Sequence, residues 1–267
     1  MLAAGVSALL SALLTHEQLH AWGWRAAFAV GLLIGPVGLH IRRRIDETAE
    51  FKGLGAAQKP KSPLRAVLVH NRRDLLLGGG VVAAATAFNY VHKVYMPTYA
   101  VRQLHLAATW SFVGAVLTGA IETLAAPVVG ALSDRVGRLR TMFGALLLVG
   151  TTTWPLFVLL NRFPTVATLL AVQTAVGLLI TASVTPVPAL LADIFPTGIR
   201  GTGLALSYNF SVTLFGGFAP LIVTWLILAT RNNLAPSFYV MATATLSIAA
   251  VIALGRRRLA ARAEAVS

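Results

Sequence analysis

Seven stretches of this chain are too apolar to stay in water and long enough to cross a bilayer: residues 22–41, 75–100, 109–131, 141–160, 165–192, 201–229 and 237–255. A helix rises about 1.5 Å per residue, so a hydrocarbon core of about 30 Å takes about 20 predominantly apolar residues. Inside hydrocarbon every backbone amide must be paired within its own segment or in a closed barrel. No stretch has the alternating pattern of a barrel strand, which leaves helices. An eighth run, 1–15, is shorter and lacks the basic start of a signal peptide; it reads as the end of a helix. The fold class expected is an all-α polytopic membrane protein of about eight transmembrane helices. Only 12% of residues are charged, against about a quarter in water-soluble domains. That balance excludes both a soluble globular domain and a disordered chain.

Charge then gives direction. The net charge of +13 does not indicate a nucleic-acid binder, whose basic residues share one wet face; here apolar runs separate them. Arg42, Arg43, Arg44, Lys52, Lys59, Lys61, Arg65, Arg72 and Arg73 fall in one connection. Arg135, Arg138 and Arg140 fall in a second, Arg200 in a third, and Arg256, Arg257, Arg258 and Arg262 in the tail. The intervening connections, and the helix ends facing them, hold only Arg25, Lys93, Arg102, Arg162 and Arg231. Alternate connections are therefore basic, as threading a bilayer requires. Basic residues mark the cytoplasmic side, so both chain ends are expected there, in contact with anionic lipid. Residues 1–41 then form a two-helix segment, 42–73 a basic cytoplasmic linker with turn residues Gly53, Gly55, Pro60 and Pro63, 74–255 a six-helix bundle and 256–267 a tail.

Several motifs carry a resemblance. Gly130-Ala-Leu-Ser-Asp134-Arg135-Val-Gly137-Arg138-Leu-Arg140 is similar to the G-x-L-[SA]-D-R-x-G-R-[RK] loop of the major facilitator superfamily. Phe195-Pro196-Thr-Gly-Ile-Arg200, followed by Tyr208-Asn209 and Gly216-Gly217-Phe-Ala-Pro220, resembles a stretch of its metabolite:proton symporter branch. That branch includes permeases for citrate, α-ketoglutarate, shikimate and proline/betaine. Ile41–Phe51 is similar to the basic segment ending the sixth helix of that branch, with Ala49 where proline is usual. Tyr95-Met-Pro97-Thr-Tyr99 resembles the end of the seventh. The resemblance places these helices as numbers five (partial) to twelve of twelve. It implies a chain without the first four helices and a possible partner in a missing amino-terminal half.

The resemblance implies a secondary transporter working by alternating access, with a small organic solute and a proton as cargo. It makes Gly130, Asp134, Arg135, Gly137 and Arg138 a gating loop on the cytoplasmic side. Phe195, Pro196 and Arg200 form a second cytoplasmic motif. Tyr208 and Asn209 become cavity candidates.

Other candidates come from the residues themselves, because polar groups within apolar spans are costly and by default functional. Glu122 is an isolated carboxylate in the middle of a span, suited to carrying a proton or to pairing with Lys93. Asn89 and Lys93 stand four apart and so share a helical face, with Tyr90 beside it. A cavity-facing Lys93 favours a carboxylate solute; otherwise it reaches to the interface. His92 is a second proton candidate. No cofactor or metal is expected: there is no cysteine, no nucleotide-binding G-x-x-x-x-G-K-[ST], no H-E-x-x-H, and His16 and His20 lack further ligands. The chain is expected not to be an enzyme. The alternative to a transporter is a non-transporting remnant, or a half-bundle that needs a partner chain.

Overall fold

A computed structural model describes residues 10, 13–32, 34–44, 53 and 62–264. Most of run 1–15 and half of the linker, residues 45–52 and 54–61, lie outside the described residues. The chain divides into two units, Met1–Gly55 and Ala56–Ser267, each described here by itself.

In the first unit, Thr15 and Gln18 form a capping box. The Thr15 hydroxyl accepts from the Gln18 amide at 3.2 Å, and the Gln18 side chain accepts from the Thr15 amide at 3.1 Å. Two helices follow, α1 (Trp24–Leu32) and α2 (Ile34–Arg44), which occupy the run expected over 22–41.

Among its described residues the second unit holds six long helices, preceded by a short helical stretch at Pro63–Arg65 and Ala66–His70: α3 (Arg72–Arg102), α4 (Ala108–Val136), α5 (Arg138–Arg162), α6 (Val166–Ile194), α7 (Thr197–Thr230) and α8 (Ala235–Glu264). All six are long and apolar enough to cross a membrane, and no strand occurs among the described residues. Consecutive helices are joined by short connections and therefore run antiparallel.

Helix α3 is the buried axis, with α6, α7 and α8 packed around it. Its first half can be approached closely because it is built of Gly78, Gly79, Gly80 and alanines. A Cβ on Gly78 would stand 2.7 Å from the Ser207 hydroxyl, and one on Gly80 would stand 2.9 Å from the Ala250 Cβ. Between membrane helices, such small residues permit the backbone approach that packing and interhelical hydrogen bonds require. Those bonds are present. The Ser211 hydroxyl donates to the Gly79 carbonyl at 3.0 Å. The Ser247 hydroxyl donates to the Gly80 carbonyl at 2.6 Å and accepts from the Ala84 amide at 2.9 Å, stitching α8 into the ladder of α3. The outer half of α3 packs larger groups. Phe88, Met96 and Tyr99 meet Phe157 and Leu160 of α5 and Leu169 and Val172 of α6.

Three irregularities shape the bundle. Residues Val91–Tyr95 of α3 and Val212–Gly217 of α7 are π-helical, a form common at functional sites. Helix α6 is interrupted by a turn at Thr185-Pro186, where proline withdraws a backbone donor. Both π segments escape a reading of the sequence, since their composition matches that of an α-helix.

Candidate functional site

The site residues are carried mainly by α3, on either side of its π turn. Before it, Asn89 and Tyr90 join Ala85 and Thr86 in lining a cavity of about 120 Å³. Val184 and Val187 of α6 and Tyr208 and Val212 of α7 complete the walls. Close approach at Gly216 sets the position of Tyr90. A Cβ there would lie 2.6 Å from Thr86 Cγ2 and 2.8 Å from Tyr90 Cδ2, so the π turn of α7 presses bare backbone against the ring. The amide of Asn89 and the hydroxyls of Thr86, Tyr90 and Tyr208 supply donors and acceptors on an otherwise apolar wall. At about 30 Å³ per water the space holds roughly four waters. That accommodates a polar head group but is below the several hundred cubic ångströms of an enclosing ligand pocket.

Lys93 does not line this cavity. It stands four residues, about 6 Å, further along α3 than Asn89. Lys93 turns instead to α4, where its Nζ lies 2.6 Å from Glu122 Oε2. The second carboxylate oxygen, Oε1, is buried without a hydrogen-bond partner. The two side chains keep 29% and 21% of their exposure, so the pair is partly desolvated. Of the two roles expected for Glu122, pairing with Lys93 is present in the geometry.

His92 does not line the cavity either. It is fully buried, with ring centroids 4.6 Å from Phe88 and 5.5 Å from Phe157, on the side of α3 that faces the core. Its backbone carbonyl accepts from Gln173 Nε2 of α6 at 3.1 Å. Asn209 is exposed and turns back on its own helix, donating to the Ala205 carbonyl at 2.8 Å. Helical spacing places it about 100° around the axis from Tyr208, and only Tyr208 lines the cavity.

The motif from Gly130 to Arg138 is more compact than the loop expected there. Helix α4 continues through Gly130 to Val136, and α5 starts at Arg138, so Gly130 is helical rather than part of a turn. Gly137 alone makes the connection, at φ 101° and ψ 131°, a conformation open in practice only to glycine. Across it, Arg138 Nε lies 3.7 Å from Asp134 Oδ1, and its Nη1 reaches Asp193 Oδ2 of α6 at 3.4 Å. Arg258 of α8 approaches the same Asp193 oxygen at 3.4 Å. All four side chains are more than a third exposed, so each contact is worth at most about 1 kcal/mol. Arg135 is exposed. In the second motif Phe195 is buried. A Cβ on Gly203 would lie 2.4 Å from its ring, which therefore rests on the backbone of α7. Arg200 donates to the Thr197 hydroxyl at 3.2 Å, and Pro196 is exposed.

Sequence reasoning missed Asp193, a lone acid at the end of a span on the basic side. It also missed the Arg257–Asp74 ion pair between α8 and α3. A third omission is the Tyr99 hydroxyl, which donates to the Asn233 carbonyl at 2.8 Å and accepts from Asn161 at 2.6 Å. Among the described residues no cluster of three potential metal ligands occurs.

Six apolar helices around a small polar cavity, with charge gathered at one end, define a polytopic integral membrane protein. Residues 107–266 match the model of the Major Facilitator Superfamily, and the chain belongs to that family. It is 32% identical over 260 residues to a citrate-proton symporter of Klebsiella pneumoniae, a match covering 96% of this chain and 58% of the relative. An ectoine/proline transporter of Corynebacterium glutamicum is 32% identical, covering 89% and 50%. A proline/betaine transporter of Salmonella typhimurium is 28% identical, covering 93% and 51%. The chain thus spans about half the length of the curated relatives it matches. Those relatives are transporters, not enzymes.

Proposed function

We propose that this chain forms one wall of a proton-coupled symporter that imports a small organic solute, with a mild preference for carboxylates. The observation that carries the reading is the cavity where Asn89, Tyr90 and Tyr208 meet across α3 and α7. In such a wall the polar groups hold the solute's head near the middle of the spans, and a facing bundle closes the other side as the two rock. The Lys93–Glu122 pair supplies the coupling. A proton on Glu122 removes its charge and leaves Lys93, four residues along α3 from the cavity-lining Asn89, as an uncompensated positive charge beside the cavity, which attracts an anionic solute without touching it. Return of the proton to the other side restores the pair and releases the solute. Asp134, Arg138 and Asp193 form exposed contacts, weak enough to open in each cycle. The names of the citrate-proton and proline/betaine relatives support this class of cargo.

The same reading sets the chain in a bacterial inner membrane with both ends cytoplasmic, because the arginines gather where α3, α5, α7 and the tail meet the basic side. It keeps 1–41, 42–73, 74–255 and 256–267 as segment, linker, bundle and tail. The second reading, a half-bundle needing a partner chain, is favoured by the exposure of α4 and α7. Leu124, Val128 and Leu132 on one, and Phe210, Leu214 and Phe218 on the other, are left exposed by the described residues of the second unit.

The test is uptake of labelled citrate, dicarboxylates, shikimate, proline and betaine into proteoliposomes with an imposed proton gradient. The chain is tested alone and together with the amino-terminal half of a relative. Gradient-driven uptake that an uncoupler abolishes and Tyr208→Ala impairs is expected. Uptake only with the added half assigns the chain the half-bundle role. Absence of uptake from both inserted preparations overturns the symport reading.

A further inference from the structure

We propose that the basic end of α8 is a binding site for an anionic phospholipid of the cytoplasmic leaflet. A groove of about 560 Å³ runs between α3 and α8, with Arg73, Arg256 and Arg257 at its mouth and Leu77, Ala249 and Ile252 along it. A second groove, of about 360 Å³, lies on the other side of α8 against α5 and shares Arg256 and Ile252. Arg140 joins its basic end, and Phe143 and Leu259 add apolar wall.

The order of these residues along the helices matches the shape of a lipid. Ile252 is one turn and Ala249 about two turns inward from Arg256. At 1.5 Å per residue this gives an apolar track of about 10 Å leading away from the charge. Leu77 stands one turn inward from Arg73 on the facing helix. A phosphate thus meets arginines where an acyl chain meets aliphatic side chains. A soluble anion would use only the first part, and a neutral lipid only the second.

The charge is not consumed internally. Asp74 pairs with Arg257 and Asp193 with Arg258. Arg73, Arg140 and Arg256 have no carboxylate partner among the described residues, and all three are exposed. Three uncompensated cations around one helix end attract the anionic leaflet, and basic pockets between membrane helices on that side bind lipid head groups. Arg256 borders both grooves, so it is the centre of the site. This inference rests on the cytoplasmic orientation of the basic end and not on transport.

The chain contains no cysteine, so a single one can be labelled cleanly. Ile252→Cys carries a bimane fluorophore in liposomes of neutral phosphatidylcholine. Either brominated phosphatidylglycerol or brominated phosphatidylcholine is then added at equal mole fraction. The expected result is preferential quenching by the phosphatidylglycerol, reduced by high salt. Arg73→Gln with Arg256→Gln abolishes the preference, with a loss on the order of five-fold for each arginine. A control probe at Phe238→Cys, at the opposite end of α8, is quenched equally by both lipids, which verifies insertion separately from the site. Equal quenching at position 252, or a preference that survives the double arginine change, overturns the proposal. Failure of solute uptake leaves this readout unaffected.

Discussion

Replacing Glu122 by Gln leaves Lys93 charged and without its counter-ion in the wall between α3 and α4. Two unit charges 2.6 Å apart attract by about 6 kcal/mol at an effective dielectric constant of about 20. Desolvation of each ion opposes this by several kcal/mol, so the net worth of the pair is far smaller than the attraction. A fully buried pair loses about 3–5 kcal/mol when one partner is removed. Because both side chains keep some solvent exposure, the expected cost of Glu122→Gln or Lys93→Met is about 2–3 kcal/mol. The double variant removes both charges and recovers most of that, leaving the chain within about 1 kcal/mol of the parent. A double-mutant cycle should therefore report a coupling of about 4 kcal/mol. The assay is unfolding of the chain in mild detergent micelles by titrated denaturing detergent, followed by helical circular dichroism. Additivity of the two single changes to within about 0.5 kcal/mol refutes the pairing. The coupling role is tested separately. Glu122→Gln should abolish gradient-driven uptake but leave solute exchange across the membrane, whereas loss of both in a folded variant argues against proton carriage by this residue.

Other expectations follow from single contacts. Gly216→Val drives a side chain into Thr86 and Tyr90; it should cost about 1–3 kcal/mol and lower solute affinity, measured in the same micelles and by equilibrium binding. Ser247→Ala removes two interhelical hydrogen bonds and should destabilise by about 1–2 kcal/mol, with faster hydrogen exchange at Ala84 as its local sign. Gly137→Ala meets no neighbour, yet its backbone angle should still cost about 1–3 kcal/mol, seen as a lowered melting temperature. Asp193→Asn, on exposed pairs, should change stability by less than about 1 kcal/mol and reduce its dependence on salt.

The helices were legible because length and hydropathy suffice to identify a span. Glu122 and Lys93 were legible as potential partners because two lone opposite charges in neighbouring apolar helices have few other ways to be satisfied. Asn89, Tyr90 and Tyr208 stood out as polar residues in apolar runs, and the structure brings them to one cavity. Which face each polar residue occupies was not legible. The four-residue spacing of Asn89 and Lys93 does not tell how far the cavity extends along the axis, and Lys93, one turn beyond it, meets Glu122 of α4 instead. The packing of His92 was not legible, because its aromatic neighbours, Phe88 and Phe157, come partly from a distant helix. Asp193 was overlooked for the same reason. Its partners Arg138 and Arg258 lie 55 and 65 positions away, a separation that carries no local signal.

The one-residue connection at Gly137 also bears on how the protein is made. With no slack between them, α4 and α5 cannot enter the bilayer far apart in time; the ribosome must deliver them as a helical hairpin. Arg135, Arg138 and Arg140 flank its tip, and whichever side of the membrane holds that tip, the direction of both helices is fixed at once. Lengthening the connection with a few flexible residues would leave the mature contacts available while uncoupling the two insertions. A defect confined to biogenesis, visible as misoriented chains during synthesis and absent once the protein has assembled, is the consequence of joining 29 residues of α4 to 25 of α5 through one glycine.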